Sequence, residues 1–206
     1  MKSKLRVGLA WIGLAAAAAI AGSAGCGGGG GSGGGGGAAA DPCFDYSGYK
    51  GDSPTTQFRK DVLPIFRRSC GLSSSCHGPD PSGVVNLPQN QPYLGPPEGG
   101  PNPNDADIAK ILGGIVDRSA EIPGSPDPKP EPDGYKIVNP GHPETSFMMF
   151  KIDAVLGSDG TSTFCSKLKC APNGGCGYSM PQNGPELASA DKETIRRWIA
   201  QGAKDD

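Results

Sequence analysis

The chain has few of the residues that build large hydrophobic cores or strongly charged surfaces. Aromatic residues make up only 6% of its 206 residues, and charged residues make up 19%. The formal net charge is −2, and there is no basic face or stripe of the kind that binds nucleic acid. After residue 25, no apolar run is long enough to span a bilayer. These shortages exclude a nucleic-acid-binding protein and a polytopic membrane protein.

Recognisable catalytic motifs are also lacking. The sequence contains no Ser-His-Asp or carboxylate-pair motif, no phosphate-binding glycine loop and no H-E-x-x-H sequence. Its long glycine run is too homogeneous to be a nucleotide loop, and no Lys-Ser or Lys-Thr pair follows it. We therefore predict that the protein is not an enzyme.

Residues 1–25 are typical of an export signal. An apolar run from Val7 to Ile20 follows a positive region that contains Lys2, Lys4 and Arg6. Residues 21–26 resemble a bacterial lipobox, in which Cys26 is acylated and becomes the mature N-terminus, although Ser23 stands where Leu is preferred. We expect a lipoprotein signal peptide and lipidation of Cys26. The alternative is an ordinary signal peptide, with Cys26 in a disulfide.

Residues 26–42 are predicted to be the lipidated cysteine and a flexible tether. From Gly27 to Gly37 every residue except Ser32 is glycine, a composition that cannot build a core. The root-mean-square reach of such a segment is roughly 20 Å. We expect it to hold the exported protein at a membrane of the cell envelope, in the periplasm or at the outer membrane.

Residues 43–206 carry the folded domain, which we predict to be small and mainly α, with long Pro/Gly-rich loops. Apolar spacing over residues 58–66 predicts a first helix, and because Pro64 fits best in a first turn, this helix should begin near Asp61. Three more helices are expected, over residues 104–117, over residues 143–152, and between a Ser189 cap and Gly202. Strand signals are confined to two short apolar pieces, Val84–Val85 and Ile137–Val138.

Six cysteines remain when Cys26 is set aside, and in an exported chain disulfides can form between them. They are Cys43, Cys70, Cys76, Cys165, Cys170 and Cys176. An even number fits three bridges, for which fifteen connectivities exist. Such bridges would stabilise a domain whose core is thin for its length.

The sequence around Cys76 allows a more specific interpretation. Cys76-His77-Gly78 follows an amphipathic helix and has a second cysteine, Cys70, upstream, which is the layout of c-type haem attachment. In that layout two thiols form thioethers with the haem, and the adjacent imidazole becomes the proximal iron ligand. The usual spacing is C-x-x-C-H, whereas a C-x5-C-H spacing stands here. A disulfide between Cys70 and Cys76 competes with haem attachment.

A methionine far along the chain suits the sixth position of such an iron. Met180-Pro181 lies in a Gly-rich loop, and His/Met ligation raises the potential of cytochromes c. His142 is the only other histidine besides His77, and its place before a proline at a helix start favours a capping or surface role. Met148 and Met149 lie on an apolar helix face, so we expect them in the core.

These motifs resemble those of exported bacterial mono-haem cytochrome c domains. The similar segments occur in the family's order and span roughly residues 58–203. They are Asp61–Phe66 leading to Cys76-His77-Gly78, Pro140–Ser146 with His142 in place of the usual Asp, Met180-Pro181, Ile195–Ile199 and Gly202-Ala203. The resemblance implies a cytochrome c-like fold in residues 43–206.

The resemblance also implies site residues. Cys70 and Cys76 would form the haem thioethers, and His77 and Met180 would be the axial ligands of the haem c iron. Four cysteines would then be left as disulfide candidates: Cys43, Cys165, Cys170 and Cys176. If haem were absent, three bridges would form instead.

The leading prediction is a lipid-anchored cell-envelope electron-transfer protein with one c-type haem. Its acidic charge favours a basic redox protein as partner, and its membrane contact would come from the N-terminal lipid. The alternative is a haem-free, disulfide-stapled lipoprotein that kept the fold and serves a binding or structural role. A third interpretation is a copper site, made of His77, His142, Cys176 and Met180.

Overall fold

The structure is a computed structural model that describes residues 41–206 except 81–82, 86, 88–90, 122–134, 158–159, 169, 171–175 and 183. The predicted signal peptide, Cys26 and nearly all of the tether lie outside the described residues. In the described part, no helix is long and apolar enough to cross a membrane.

Helices separated by long irregular segments make up most of the regular structure in the described residues. In chain order the elements are a π-helical turn at Phe58–Val62, α1 at Leu63–Ser69, α2 at Asp105–Ile115, a 3₁₀ turn at Pro143–Thr145, α3 at Phe147–Asp153, β1 at Val155–Leu156, β2 at Ser162–Thr163 and α4 at Ser189–Ala200. The mainly α, cytochrome c-like fold class remains a prediction.

The first helical segment begins three residues earlier than its sequence predicts. Asp61 is not the N-cap; its Oδ2 accepts a hydrogen bond of 2.8 Å from the backbone N–H of Gln57. The amides of Asp61 and Val62 both donate to the Gln57 carbonyl, which makes the wide turn of a π-helix. Pro64 falls in the first turn of α1, where a missing N–H is tolerated. The prediction missed this turn because π geometry has no sequence signature.

Helix α2 agrees closely with its prediction. The Asn104 side chain accepts from the amide of Asp107, while the Asp107 carboxylate accepts from the amide of Asn104, completing a capping box. The helix ends at Ile115, two residues before the predicted end, since Asp117 adopts a left-handed φ of 61°. Its buried face consists of Ile108, Ile111 and Ile115.

The third and fourth helices differ from their predictions in their first residues. Pro143 opens a 3₁₀ turn and not the α-helix itself, which starts at Phe147. Ser189 is the first residue of α4, so it does not cap the helix; Ala188 holds the N-cap position and has no side-chain hydrogen bond to offer. Gly202, with a φ of 97°, follows the end of α4 as expected.

Strand structure is slight, and it lies elsewhere than predicted. The two strands β1 and β2 pair antiparallel, with Val155 opposite Thr163 and Leu156 opposite Ser162. Of the predicted pieces, Val138 makes only an isolated bridge to Val116, and Val84–Val85 has no strand structure. Short apolar pieces do not determine a partner, so sequence alone could not choose between them.

The main core forms where the first helical segment packs against α4. The Phe58 ring lies 5.2 Å from the ring of Trp198 and 6.0 Å from that of Phe66, and each of the three side chains is at most 1% exposed. Met148 and Met149 are buried in the same core, as predicted. Helix α3 also contributes Phe147 and Phe150 to a second, smaller cluster that contains Cys165.

Candidate functional site

The segment that carries His77 folds back on the end of α1. The amides of Cys70 and Gly71 both donate to the Phe66 carbonyl, at 2.8 and 2.7 Å. After the turn, the amide of His77 donates to the Cys70 carbonyl at 3.1 Å. The five residues between the two cysteines therefore form a compact loop that brings His77 beside Cys70.

Close backbone contacts fix this loop and require glycine. A Cβ atom on Gly78 would lie 2.1 Å from the carbonyl oxygen of Gly71. A Cβ on Gly71 would lie 2.3 Å from the carbonyl oxygen of Gly95. No side chain fits at such separations, so three backbone segments meet directly around the histidine.

The imidazole of His77 is held by the segment that contains Pro92 and Leu94. Its Nδ1 lies 2.9 Å from the Pro92 carbonyl oxygen, and because a carbonyl only accepts, Nδ1 carries the proton. The amide of Leu94 donates to the His77 carbonyl at 2.8 Å. Among the described residues, Nε2 has no hydrogen-bond partner. The ring is thus oriented so that no described residue uses the lone pair of Nε2.

Burial keeps this imidazole neutral. It lowers the pKa of His77 below its ordinary value, and the positive charge of Lys151 lowers that pKa further. The hydrogen bond to Pro92 opposes the shift only in part. A neutral imidazole with one nitrogen hydrogen-bonded to a carbonyl is the form in which histidine binds metals.

Met180 lies at the edge of the main core. Its side chain is half-buried and packs against the core cluster that Cys70 also contacts. Its amide donates to the carbonyl of Lys151 in α3 at 2.8 Å. The methionine is therefore tied to a helix and not carried by a free loop.

Lys151 is a functional candidate that sequence reasoning missed. Its Nζ donates to the Cys176 carbonyl at 2.8 Å and lies 5.1 Å from the ring centroid of Phe164 and 5.6 Å from that of Phe147. Burial lowers the pKa of Lys151 to about 7. The available signal was one cation in the otherwise apolar run of α3, a pattern that surface lysines produce as well.

Two disulfides join the four predicted candidates. Cys43 pairs with Cys165, and Cys170 pairs with Cys176, which confirms the prediction of disulfides for these residues. An apparent metal-binding group of Asp41, Cys43 and Cys165 is not one, since its two sulfur atoms are bonded to each other.

The two cysteines of the haem motif differ from each other. Cys70 is a free, half-buried thiol, and burial raises its pKa to about 12. Cys76 is buried and disulfide-bonded. The competing Cys70–Cys76 bridge is therefore not formed in the structure.

The copper interpretation is wrong. Cys176 is bonded to Cys170 and offers no thiolate. His142 lies on the surface with 62% of its side chain exposed, and its Nδ1 is 3.0 Å from a Glu144 carboxylate oxygen. This exposure agrees with the predicted surface role of His142.

A cleft of about 460 Å³ lies elsewhere, between residues 42–47 and α3. Its walls include four aromatic side chains, Phe44, Tyr46, Tyr135 and Phe150. It contains neither His77 nor Met180, so it is separate from the candidate haem site.

No family model, no curated protein and no solved structure matches the chain. The cytochrome resemblance thus rests on the sequence motifs alone.

Proposed function

We propose that this protein is a lipid-anchored electron-transfer protein of the cell envelope that carries one c-type haem. The observation that carries the proposal is the state of His77, whose imidazole is neutral, fixed through Nδ1 to the Pro92 carbonyl and left with Nε2 to bind iron. A surface histidine needs none of these features, because water satisfies both of its nitrogens.

Other residues of the domain offer ligands that suit the same group. Cys70 offers a thiol beside the His77 loop, and Met180 offers a thioether at the edge of the same core. Gln91, next to Pro92, has a buried side-chain oxygen without a hydrogen-bond partner among the described residues, and only a group that donates a hydrogen bond would satisfy it. Attachment at Cys76 requires a thiol there, so its disulfide must be reduced before thioether formation.

Each residue has a definite part in this proposal. A bound haem would supply one-electron chemistry, and His77 and Met180 would hold its iron. The Pro92 carbonyl orients the imidazole and raises its basicity as a ligand. Covalent attachment through Cys70 and Cys76 keeps the group in an exported protein that cannot recover it from outside.

Ligand variants test the assignment. In protein exported by a host with an active c-type maturation system, His77→Ala should abolish the low-spin haem spectrum. Met180→Ala should retain haem but open the sixth position and lower the midpoint potential. His142→Ala, which removes a surface histidine, is the control and should change neither the low-spin spectrum nor the midpoint potential. An unchanged spectrum in the Met180→Ala protein would remove Met180 from the ligand set.

The second candidate function is a haem-free envelope lipoprotein with a binding or structural role. The two disulfides and the bonded state of Cys76 favour it. In that case His77 is a structural residue, and every cysteine of residues 43–206 except the free Cys70 should resist alkylation until a reductant is added. Two cysteines that stay blocked after reduction would instead indicate thioethers.

A further inference from the structure

The loop that carries Met180 is fastened at several points to the rest of the domain. At its start, Cys176 is bonded to Cys170, and the Cys176 carbonyl accepts from Lys151 Nζ at 2.8 Å. Next, the amide of Ser179 donates to Ser162 Oγ at 2.8 Å. Finally, the amide of Met180 donates to the Lys151 carbonyl at 2.8 Å. Lys151 therefore holds both ends of the loop.

The Cys170–Cys176 disulfide acts locally. Its cysteines are only 6 residues apart in sequence, whereas Cys43 and Cys165 are separated by 122. A bridge that closes a short loop removes little chain entropy from the unfolded state. Its main effect is thus to restrict residues near it, and the nearest functional candidate in the chain is Met180.

The two bridges also differ in burial. Cys170 and Cys176 are both half-buried, whereas in the long bridge Cys43 is half-buried and Cys165 is buried, with 6% of its surface exposed. Thiol exchange requires a thiolate to reach one of the sulfur atoms. The short bridge offers two half-buried sulfur atoms and the long bridge only one, so a reductant in solution should open the Cys170–Cys176 bridge first.

We propose that the Cys170–Cys176 disulfide is a redox-sensitive latch, whose reduction releases the Met180 loop from Lys151 and α3 without unfolding the domain. The role of Met180 as iron ligand rests on the proposed function, but the latch itself does not. In the opening step, a dithiol reductant gives two electrons and two protons to the disulfide. Cys170 and Cys176 become thiols, and the reductant becomes a disulfide.

Opening the bridge should loosen the hydrogen bonds of the loop together. Once Cys176 is free to move, its carbonyl no longer has a fixed position over Lys151 Nζ. Without this acceptor, the Lys151 ammonium would be hydrated instead, and its side chain would move away from Phe147 and Phe164. The Met180 amide, bonded to the same residue's carbonyl, loses its protection as part of the same unit.

Hydrogen exchange on the full-length exported protein tests the latch. A graded dithiol treatment, read by alkylation and mass spectrometry, should reduce Cys170 and Cys176 before Cys43 and Cys165. Exchange at the amides of Ser179 and Met180 should then rise about tenfold or more, as expected for a local opening. Exchange within α4 should rise by a much smaller factor, because it reports the unfolding of the whole domain and not the local opening.

Two double variants complete the test without a reductant. Cys170→Ser with Cys176→Ser should reproduce the selective rise at Met180, and Cys43→Ser with Cys165→Ser should not produce a rise confined to that loop. Unchanged exchange at Met180 after the short bridge is removed would overturn the proposal. So would a rise of equal size throughout α4, because the bridge would then stabilise the whole domain.

The exchange readout separates this proposal from the function. If the protein contains haem and reduction of the short bridge leaves the Met180-ligated spectrum and the exchange unchanged, the latch is wrong while the function stands. If the protein contains no haem but exchange rises only in the Met180 loop, the latch stands and the proposed function is wrong.

Discussion

Gly78 and Gly113 differ in what an added methyl group would meet, and that difference makes a sharp test at the residue scale. At Gly78 the new carbon would lie 2.1 Å from a backbone oxygen, whereas at Gly113 nothing lies within 4 Å. Gly78→Ala should lower the free energy of unfolding by about 3 kcal/mol. Gly113→Ala, in an exposed part of α2, should raise it by about 1 kcal/mol.

Denaturant unfolding of both glycine variants measures these changes. If both substitutions shifted stability equally, the close packing of the His77 loop would be contradicted. The Gly78→Ala protein should also lose any haem that the parent carries, because the loop that orients His77 must move.

Lys151 gives a pH prediction. Its pKa is lowered from 10.5 to about 7 by burial, so between these values the unfolded state binds more protons than the folded state. The free energy of unfolding should therefore rise as pH increases from 7 towards 10.5. Lys151→Met should remove this part of the slope.

The control for Lys151 is Lys60→Met, at an exposed position, which should leave the slope as it is. Unfolding midpoints of the parent, the Lys151→Met protein and the Lys60→Met protein, measured at several pH values, test this prediction. Parallel curves for the parent and the Lys151→Met variant would contradict burial of this ammonium.

At this scale, motif residues could be read from the sequence but buried charges could not. The methionines at 148 and 149 follow from helical spacing, and exposure of His142 follows from its position before Pro143. Lys151 and Arg196 are different, because a cation becomes buried only when distant segments fold over it. No local pattern reports that event.

Arg196 joins several elements, so its replacement tests the structure at the element scale. Its guanidinium donates to both carboxylate oxygens of Asp153 at 2.9 and 2.8 Å, linking α4 to α3. It also lies 3.7 Å from the ring centroid of Phe44, and this contact joins residues 42–47 to α4. Only 4% of the side chain is exposed.

Arg196→Met should lower the free energy of unfolding by about 3 kcal/mol, because it leaves the Asp153 carboxylate, only 14% exposed, without its partner. Arg59→Met is a matched control: Arg59 pairs with Asp105 and Asp205 but is 43% exposed. Its replacement should cost much less, because water already solvates its charge. Equal losses in the two variants, measured by denaturant unfolding, would refute the distinction between buried and surface pairs.

Helix positions were largely predictable from the sequence, while helix starts were not. Apolar spacing located all four helical regions, since it reflects which face is buried. The start at Phe58 depends on a π-turn, and the start of α4 depends on the Ala188 carbonyl, which accepts from Asp191 and Lys192. Backbone geometry of this kind is indifferent to side-chain identity.

On the scale of the whole molecule, the long-range disulfide should dominate stability. Replacing Cys43 and Cys165 with Ser should lower the free energy of unfolding by about 4 kcal/mol, whereas replacing Cys170 and Cys176 should lower it by only about 1 kcal/mol or less. The difference follows from loop lengths set by separations of 122 and 6 residues. Denaturant unfolding in the absence of reductant measures both, and the reverse order of losses would contradict this assignment.

The pairing of these cysteines illustrates what the sequence leaves open. The number of cysteines and the export signal predict disulfides, but six cysteines allow fifteen connectivities. The choice is made by tertiary contacts, such as the Asp41 carboxylate that accepts from the amides of Cys43 and Ser166 at 3.1 Å each. That the domain is a cytochrome remains a prediction, made from the sequence motifs.

The most direct measurement is a visible spectrum of the exported wild-type protein, with a haem stain after denaturing electrophoresis. The host must have an active c-type maturation system. We predict a reduced-minus-oxidised α band and a stain that survives denaturation, which together establish covalent haem. A colourless protein whose cysteines are all recovered as disulfides or thiols would contradict the proposed electron-transfer function.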